Sequence, residues 1–397
     1  MNICRWLEIY QTLIQKSTFF LQFSFFQHYL SFYHFTVFHF CIFHKGLPEI
    51  PLKATCHPDF SCFKNYAIMN QIQKLEGFTL NIQDIQTISR NITDNISKVI
   101  VGKSENINYI LTAIYAGGHI LLEDVPGTGK TTLAKTLARC IDGRFSRIQF
   151  TPDLLPSDVT GINFYDRREN TFTFRPGPVF TNILLADEIN RATPRTQSSL
   201  LEAMEEVQVT VDGETRALPS PFFVIATQNP IETAGTFPLP EAQLDRFLLK
   251  LSMGLPDFND ELSILENFMN HTPLADVTPV ISTAQLQEIR KTVRTVFVHP
   301  SIRAYILNLV AGTRGHSKIA LGVSPRGSLA LMHAAQAYAA LCGRDYVVPE
   351  DVRHLAVPVM SHRLILTHSM STAASAAADL ISELLATVPV PTEEWKK

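Results

Sequence analysis

The chemistry in this sequence starts at Asp124-Val125-Pro126-Gly127-Thr128-Gly129-Lys130-Thr131. Residues of these types at this spacing hold phosphate. Glycines let backbone N–H groups approach phosphate oxygens. A lysine ammonium offers a point charge to the β- and γ-phosphates, and a threonine hydroxyl is a ligand for Mg²⁺. The candidate nucleotide contacts are therefore Asp124, Val125, Pro126, Gly127, Thr128, Gly129, Lys130, Thr131 and Thr132, and Val101 and Gly102 are counted with them. The strict pattern begins with glycine, and Asp124 stands in that place. A Gly-rich turn with a chance Gly-Lys-Thr is the plainer alternative, and the strand before and helix after it argue against that.

Five further residues fit the hydrolysis of a phosphoanhydride. Ile183-Leu184-Leu185-Ala186 leads into Asp187 and Glu188. Asp187 would hold Mg²⁺ through water, and Glu188 would orient and deprotonate the attacking water. Asn229, after the apolar run Phe222–Ala226, could reach the γ-phosphate and that water. Arg246 precedes the apolar run Phe247–Leu251, and Arg326 begins a helix in Ser324-Pro325-Arg326. Arginine suits phosphate oxygens through its charged fork of donors. Taken singly, each has a blander reading. The acids could cap a helix, the asparagine could sit in a turn, and each arginine could make a surface ion pair.

These residues need elements to aim them. Ile120-Leu121-Leu122 reads as a short buried strand ahead of the loop, and Lys130 to Cys140 reads as the helix after it. More apolar runs follow at Phe145–Phe150, Ile183–Ala186, Phe222–Ala226 and Phe247–Leu251. Short apolar strands separated by helices predict an α/β fold, with a parallel sheet covered on both faces. Two hairpins interrupt the series. Ile162–Tyr165 and Thr171–Phe174 flank a polar turn, and Val207–Val211 and Glu214–Leu218 flank Asp212-Gly213. Residues 80–116 read as helices, and after about Leu255 the strands stop, so residues 256–397 read as an all-helical domain.

Charge is spread unevenly over the 397 residues. Residues 69–397 carry 29 basic against 34 acidic side chains, a net of −5. That balance disfavours nucleic acid as a partner. Residues 1–68 hold 12 of the 26 phenylalanines and four of the six cysteines, and no Asp, Glu, Lys or Arg occurs from Ser17 to His44. Three readings of that stretch stay open: a start assigned too far upstream of Met69, a membrane segment, or a genuine extension. On the first reading, a chain beginning at Met69 is complete for activity. Cys140 and Cys342 have no metal-ligand spacing and are expected to be free thiols.

The order of phosphate loop, paired acids, Asn, Arg and Arg, with the helical domain last, resembles the AAA+ module. It matches Walker A, Walker B, sensor 1, arginine finger and sensor 2 in turn. Finer text is similar to the MoxR family: Gln149-Phe150-Thr151-Pro152-Asp153, Asp187-Glu188-Ile189-Asn190-Arg191-Ala192, Leu200-Leu201-Glu202-Ala203-Met204-Glu205-Glu206 and Leu321-Gly322-Val323-Ser324-Pro325-Arg326-Gly327. The resemblance covers about residues 75–370. It implies an AAA+ P-loop NTPase with a three-layer αβα core over residues 69–255, carrying the two hairpins, and a C-terminal all-α lid over 256–397. It implies ATP and Mg²⁺ as cofactors and a homo-oligomeric ring, usually a hexamer. Arg246 would then act on a neighbour's γ-phosphate and Arg326 within its own subunit. It also implies a cytoplasmic, chaperone-like role in activating partner complexes or inserting their cofactors, with a von Willebrand factor A domain protein as partner. A magnesium-chelatase-like subunit and a DNA-translocating motor remain as alternatives. A membrane enters only if residues 1–68 are expressed.

Overall fold

The architecture comes from a computed structural model, which describes residues 80–125, 127–230, 235–269, 272–367 and 375–392. Residues 1–68, Met69 and Pro126 lie outside the described residues.

Helices α1 (Ile82–Ser97) and α2 (Ser104–Ala116) lead into strand β1 (His119–Glu123) and helix α3 (Lys130–Cys140). Asn81 and Asp84 form a capping box that starts α1, which satisfies backbone donors that a helix start leaves open. Strands β2 (Phe145–Gln149), β5 (Ile183–Asp187), β8 (Phe223–Gln228) and β9 (Phe247–Leu251) join β1 in one sheet of order β2-β5-β8-β1-β9. Every pairing in it is parallel. Successive side chains on a strand point to opposite faces. Ile120, Leu122, Leu185 and Ile225 therefore enter one core and Leu121, Leu184, Ala186 and Val224 the other. Helix α5 (Pro194–Glu206) closes the second core, together with α4 (Pro156–Thr160).

Both hairpins form. β3 (Gly161–Asp166) pairs with β4 (Thr171–Pro176), and β6 (Gln208–Val211) with β7 (Glu214–Ala217). The second turns at Asp212 and Gly213, both at positive φ, as a tight two-residue turn requires. The hairpins touch: Asn163 donates to Asp212 at 2.9 Å, and the Arg216 guanidinium lies 4.1 Å over the Phe174 ring.

The remainder is the helical lid. After the short α6 (Glu241–Leu244) and β9 come α7 (Phe258–Phe268), α8 (Thr283–Val293), α9 (Pro300–Arg314), α10 (Pro325–Leu341), α11 (Pro349–Met360) and α12 (Ala376–Thr387). One expectation is corrected here. The lid contains a two-stranded antiparallel ladder, β10 (Ile319–Leu321) with β11 (Ile365–Leu366). Strands this short are below the length at which alternation is visible in sequence.

The first core does not stop at the lid. Leu331, Ala334, Val352 and Leu355 of the lid belong to the same apolar cluster as Ile120 and Ile225 of the sheet. Polar bonds fix the seam as well. Buried Arg363 donates to Asp245 at 2.6 Å and to the carbonyls of Phe247 at 2.6 Å and Leu248 at 3.2 Å. His119, at the start of β1, is also buried, and burial pushes its pKa down to about 4. The neutral ring donates from Nε2 to the Met204 carbonyl and accepts at Nδ1 from the Val224 N–H. Among the described residues no helix is long and apolar enough to cross a membrane.

Candidate functional site

The carboxyl ends of parallel strands are where open α/β sheets gather ligands. Asp124 follows β1, Asp187 ends β5, and Asn229 follows β8, so the first group of candidates shares that edge. Gly127 and Gly129 have φ of 90° and 82°, which a residue with a Cβ adopts only at a cost. Gly129 then caps α3, whose N-terminus begins at Lys130. The Lys130 ammonium donates to the carbonyls of Asp124 at 3.0 Å and Val125 at 3.2 Å. Beside the loop is a cavity of about 160 Å³ lined by Val101, Gly127, Thr128, Gly129, Thr132 and the side chains Ile264 and Phe268 of α7.

Asp124 has a different task from the one expected of it. Its carboxylate is buried and turns away from the loop to accept from Ser252 Oγ at 2.9 Å, Met253 N–H at 2.6 Å and Gly254 N–H at 3.1 Å. The chain leaving β9 is thereby tied to the chain leaving β1. Asp124 is not at positive φ, so nothing in the backbone asks for glycine there. We expect Asp124→Gly, which restores the strict loop pattern, to lower the unfolding free energy by about 2–3 kcal/mol with no gain in nucleotide affinity. Urea denaturation alongside nucleotide titration checks this, and an unchanged midpoint would refute it.

Asp187 and Glu188 are organised by a residue that the sequence reading passed over. Thr227 Oγ1 donates to Asp187 at 2.7 Å and accepts the Glu188 N–H at 2.8 Å. Glu188 itself sits at φ 56° and ψ 50°, a left-handed conformation uncommon outside glycine. Strand β2 supplies two more partners. Arg147 pairs with Asp187 at 2.6 Å, and Gln149 donates to the Glu188 carboxylate at 2.7 Å. Arg191 pairs with the same carboxylate at 3.0 Å. Thr131 and Asp187 offer only oxygen, and among the described residues no three His, Cys, Asp or Glu gather as a metal cage. That donor chemistry fits Mg²⁺, which keeps water and substrate phosphates as most of its ligands. Asn229 is buried and lines a cavity with Asn190, Glu123 and Lys250, whose walls include neither Glu188 nor Lys130.

The two arginines stand elsewhere. Arg246 and Arg326 line a cavity of about 320 Å³ together with Gly118, His119 and Glu205. His119 and Gly118 are at the amino end of β1, and the phosphate loop leaves its carboxyl end. Five residues of strand separate them by roughly 15 Å. Arg326 is brought here because Ser324, the cap of its helix, donates to Asp245 at 2.9 Å, next to Arg246. The expectation that Arg326 serves the loop of its own subunit does not fit this placement.

Similarity to known proteins agrees with the geometry. Residues 119–249 match the ATPase family associated with various cellular activities (AAA), and residues 311–384 match the AAA lid domain. The chain is 41% identical over 317 residues to Chaperone MoxR1 of Mycobacterium tuberculosis, spanning 78% of this chain and 83% of that one. It is 32% identical to Protein MoxR of Paracoccus denitrificans, over 78% and 98% of the two chains. The chain belongs to the MoxR family of AAA ATPases. A further relative, the uncharacterized protein YeaC of Bacillus subtilis, is 50% identical over 78% of this chain and 97% of its own. Among solved structures, a protein from Cytophaga hutchinsonii superposes with a TM-score of 0.74 at 39% identity, over 78% of this chain and 97% of that one.

The additional residues around this MoxR site carried a faint signal. Phe145, Arg147 and Gln149 alternate with Ser146 and Ile148, and on an edge strand the i, i+2 series shares one face. Thr227 was hidden because the strand was expected to stop at Ala226. Pairing with Glu123 extends β8 to Gln228 and puts Thr227 inside the strand, beside β5.

Proposed function

We propose that this protein is a ring-forming, ATP-hydrolysing MoxR ATPase that uses its cycle to activate or remodel partner protein complexes. The observation that carries it is the separation of Arg246 and Arg326 from the phosphate loop across the sheet. A site divided in this way is completed by a second copy, whose arginines meet the nucleotide held here.

In this scheme Lys130 and the amides of the loop bind the phosphates of ATP. The cavity between Val101 and Phe268 takes the base. Glu188 accepts the proton of the attacking water, and before it does so its carboxylate leaves Gln149 or Arg191. Thr131 and Asp187 would hold Mg²⁺ with the nucleotide, and the ion would supply charge compensation there. Arg246 and Arg326 of the next subunit stabilise the charge that develops on the γ-phosphate. Asn229 stays a candidate for sensing that phosphate from the tip of β8.

The hairpins favour a protein client over a nucleic acid. Phe172 is 75% exposed, Tyr165 packs edge-on against it at 5.3 Å between ring centres, and Ile162 and Phe164 are also exposed. Tyr165 and Phe172 share one face of the hairpin and Ile162 and Phe164 the other, and exposed apolar side chains gathered in this way suit a protein contact. Arg167 and Arg168 at the turn are flanked by Asp166 and Glu169, which offsets their charge. By the name of its relative, the role is chaperone-like. The partner we propose is a von Willebrand factor A domain protein, and insertion of a metal or other cofactor is one form the activation takes. The test is recovery of that partner on ATP-loaded Glu188→Gln protein and its release when ADP replaces ATP. Retention that ignores the nucleotide would overturn the proposal, and recovery of DNA in its place would favour a translocating motor.

A further inference from the structure

Helix α5 ends in Glu202, Glu205 and Glu206, with no basic residue in its last turn. That is the wrong end for acids, because the C-terminus of a helix already carries partial negative charge. The local cost of Glu205 is offset from outside the helix. Arg246 pairs with one of its carboxylate oxygens at 3.0 Å and Arg326 with the other at 3.2 Å. One carboxylate thus holds both arginines that the functional reading assigns to a neighbour's nucleotide.

We propose that Glu205 is a placeholder for the γ-phosphate. It holds the two guanidinium groups side by side until a neighbouring subunit presents ATP, gives them up to the phosphate, and takes them back after hydrolysis. This rests on Arg246 and Arg326 acting on a neighbour.

Three observations support it. Two like charges are kept close only while an anion lies between them, and Glu205 is that anion here. The pairs are also weak enough to exchange. The Glu205, Arg246 and Arg326 side chains are 37%, 28% and 46% exposed, and ion pairs so open to water are worth about 1 kcal/mol or less. The pair Arg363–Asp245 at the same cavity is of the opposite kind, with side chains 3% and 19% exposed. It keeps the frame while the Glu205 pairs open. Finally, a phosphate group carries nearly two charges to the one of a carboxylate, and arginine binds both through the same fork of donors. Exchange therefore runs towards the phosphate when ATP is present. Loss of the γ-phosphate returns the arginines to Glu205.

The placeholder competes with assembly, and the competition depends on the nucleotide. In the Glu188→Gln background, where ATP persists, Glu205→Gln should lower the subunit concentration at half-maximal ring formation by about fivefold with ATP. With ADP it should leave that concentration unchanged. Sedimentation velocity over a dilution series reads both. Glu205→Ala removes the carboxylate without adding an amide and should shift the midpoint the same way. An unchanged or raised midpoint with ATP in both variants would overturn the proposal, and so would an equal shift in both nucleotides. Arg246→Ala in the same background separates this failure from that of the wider reading. If it leaves the ATP midpoint where it was, the arginines do not meet a neighbour's phosphate, whatever Glu205 does.

Discussion

Glu188→Gln should still bind ATP and should hydrolyse it at least about 100-fold more slowly, the usual contribution of a positioned general base. Every feature around Glu188 concerns orientation. Its N–H is fixed by Thr227, its backbone is left-handed, and its carboxylate is shared by Gln149 and Arg191. Glutamine fills the same space but takes no proton from water. Binding is left intact because the loop, the cavity between α7 and Val101, and the Lys130 ammonium are untouched. Lys130→Ala is the converse variant, and it loses nucleotide because the phosphate charge goes uncompensated. Single-turnover hydrolysis with a parallel binding titration distinguishes the two. A wild-type rate in Glu188→Gln would show that another group is the base.

Mixing two dead proteins should recover activity. Arg246→Ala subunits keep Glu188, and Glu188→Gln subunits keep Arg246. Where the first holds ATP and the second lies next to it on the arginine side, the interface is whole. Equal, random mixing makes about one interface in four of that kind, so hydrolysis near a quarter of the wild-type rate is expected. The same experiment with Arg326→Ala decides between its two possible allegiances. If Arg326 serves a neighbour, it is rescued to the same extent. If it serves its own subunit, no mixture with Glu188→Gln contains a whole site and nothing returns. The roughly 15 Å of β1 between the arginine cavity and the loop favours the first outcome. Rates that ignore total subunit concentration would count against assembly altogether.

Most of the sheet was legible because buried parallel strands are continuous apolar runs, and Ile120–Leu122, Ile183–Ala186 and Phe247–Leu251 are such runs. The phosphate loop was legible because glycine and lysine are needed at fixed offsets. What stayed hidden depends on distant pairing. Asp124 reads as a defect in the loop until Ser252, Met253 and Gly254 are seen folding back onto it 128 to 130 residues later. Thr227 reads as a turn residue until β1 extends its strand. Arg326 reads as a partner of the nearby nucleotide because linear order says nothing about which edge of the sheet α10 reaches. That edge is chosen by Ser324, Arg363 and Asp245, three residues with no pattern among them.

The placement of loop and arginines at opposite ends of β1 also gives the subunit a polarity. In the ring proposed above, the loop of one copy meets the arginines of the next. That contact would be head-to-tail, and such contacts propagate until rotation closes them. An open run of subunits always ends in one lone loop and one lone arginine pair, so it has one complete site fewer than it has chains. Closure alone makes the two counts equal, and any step that opens the circle removes one site at a definite position.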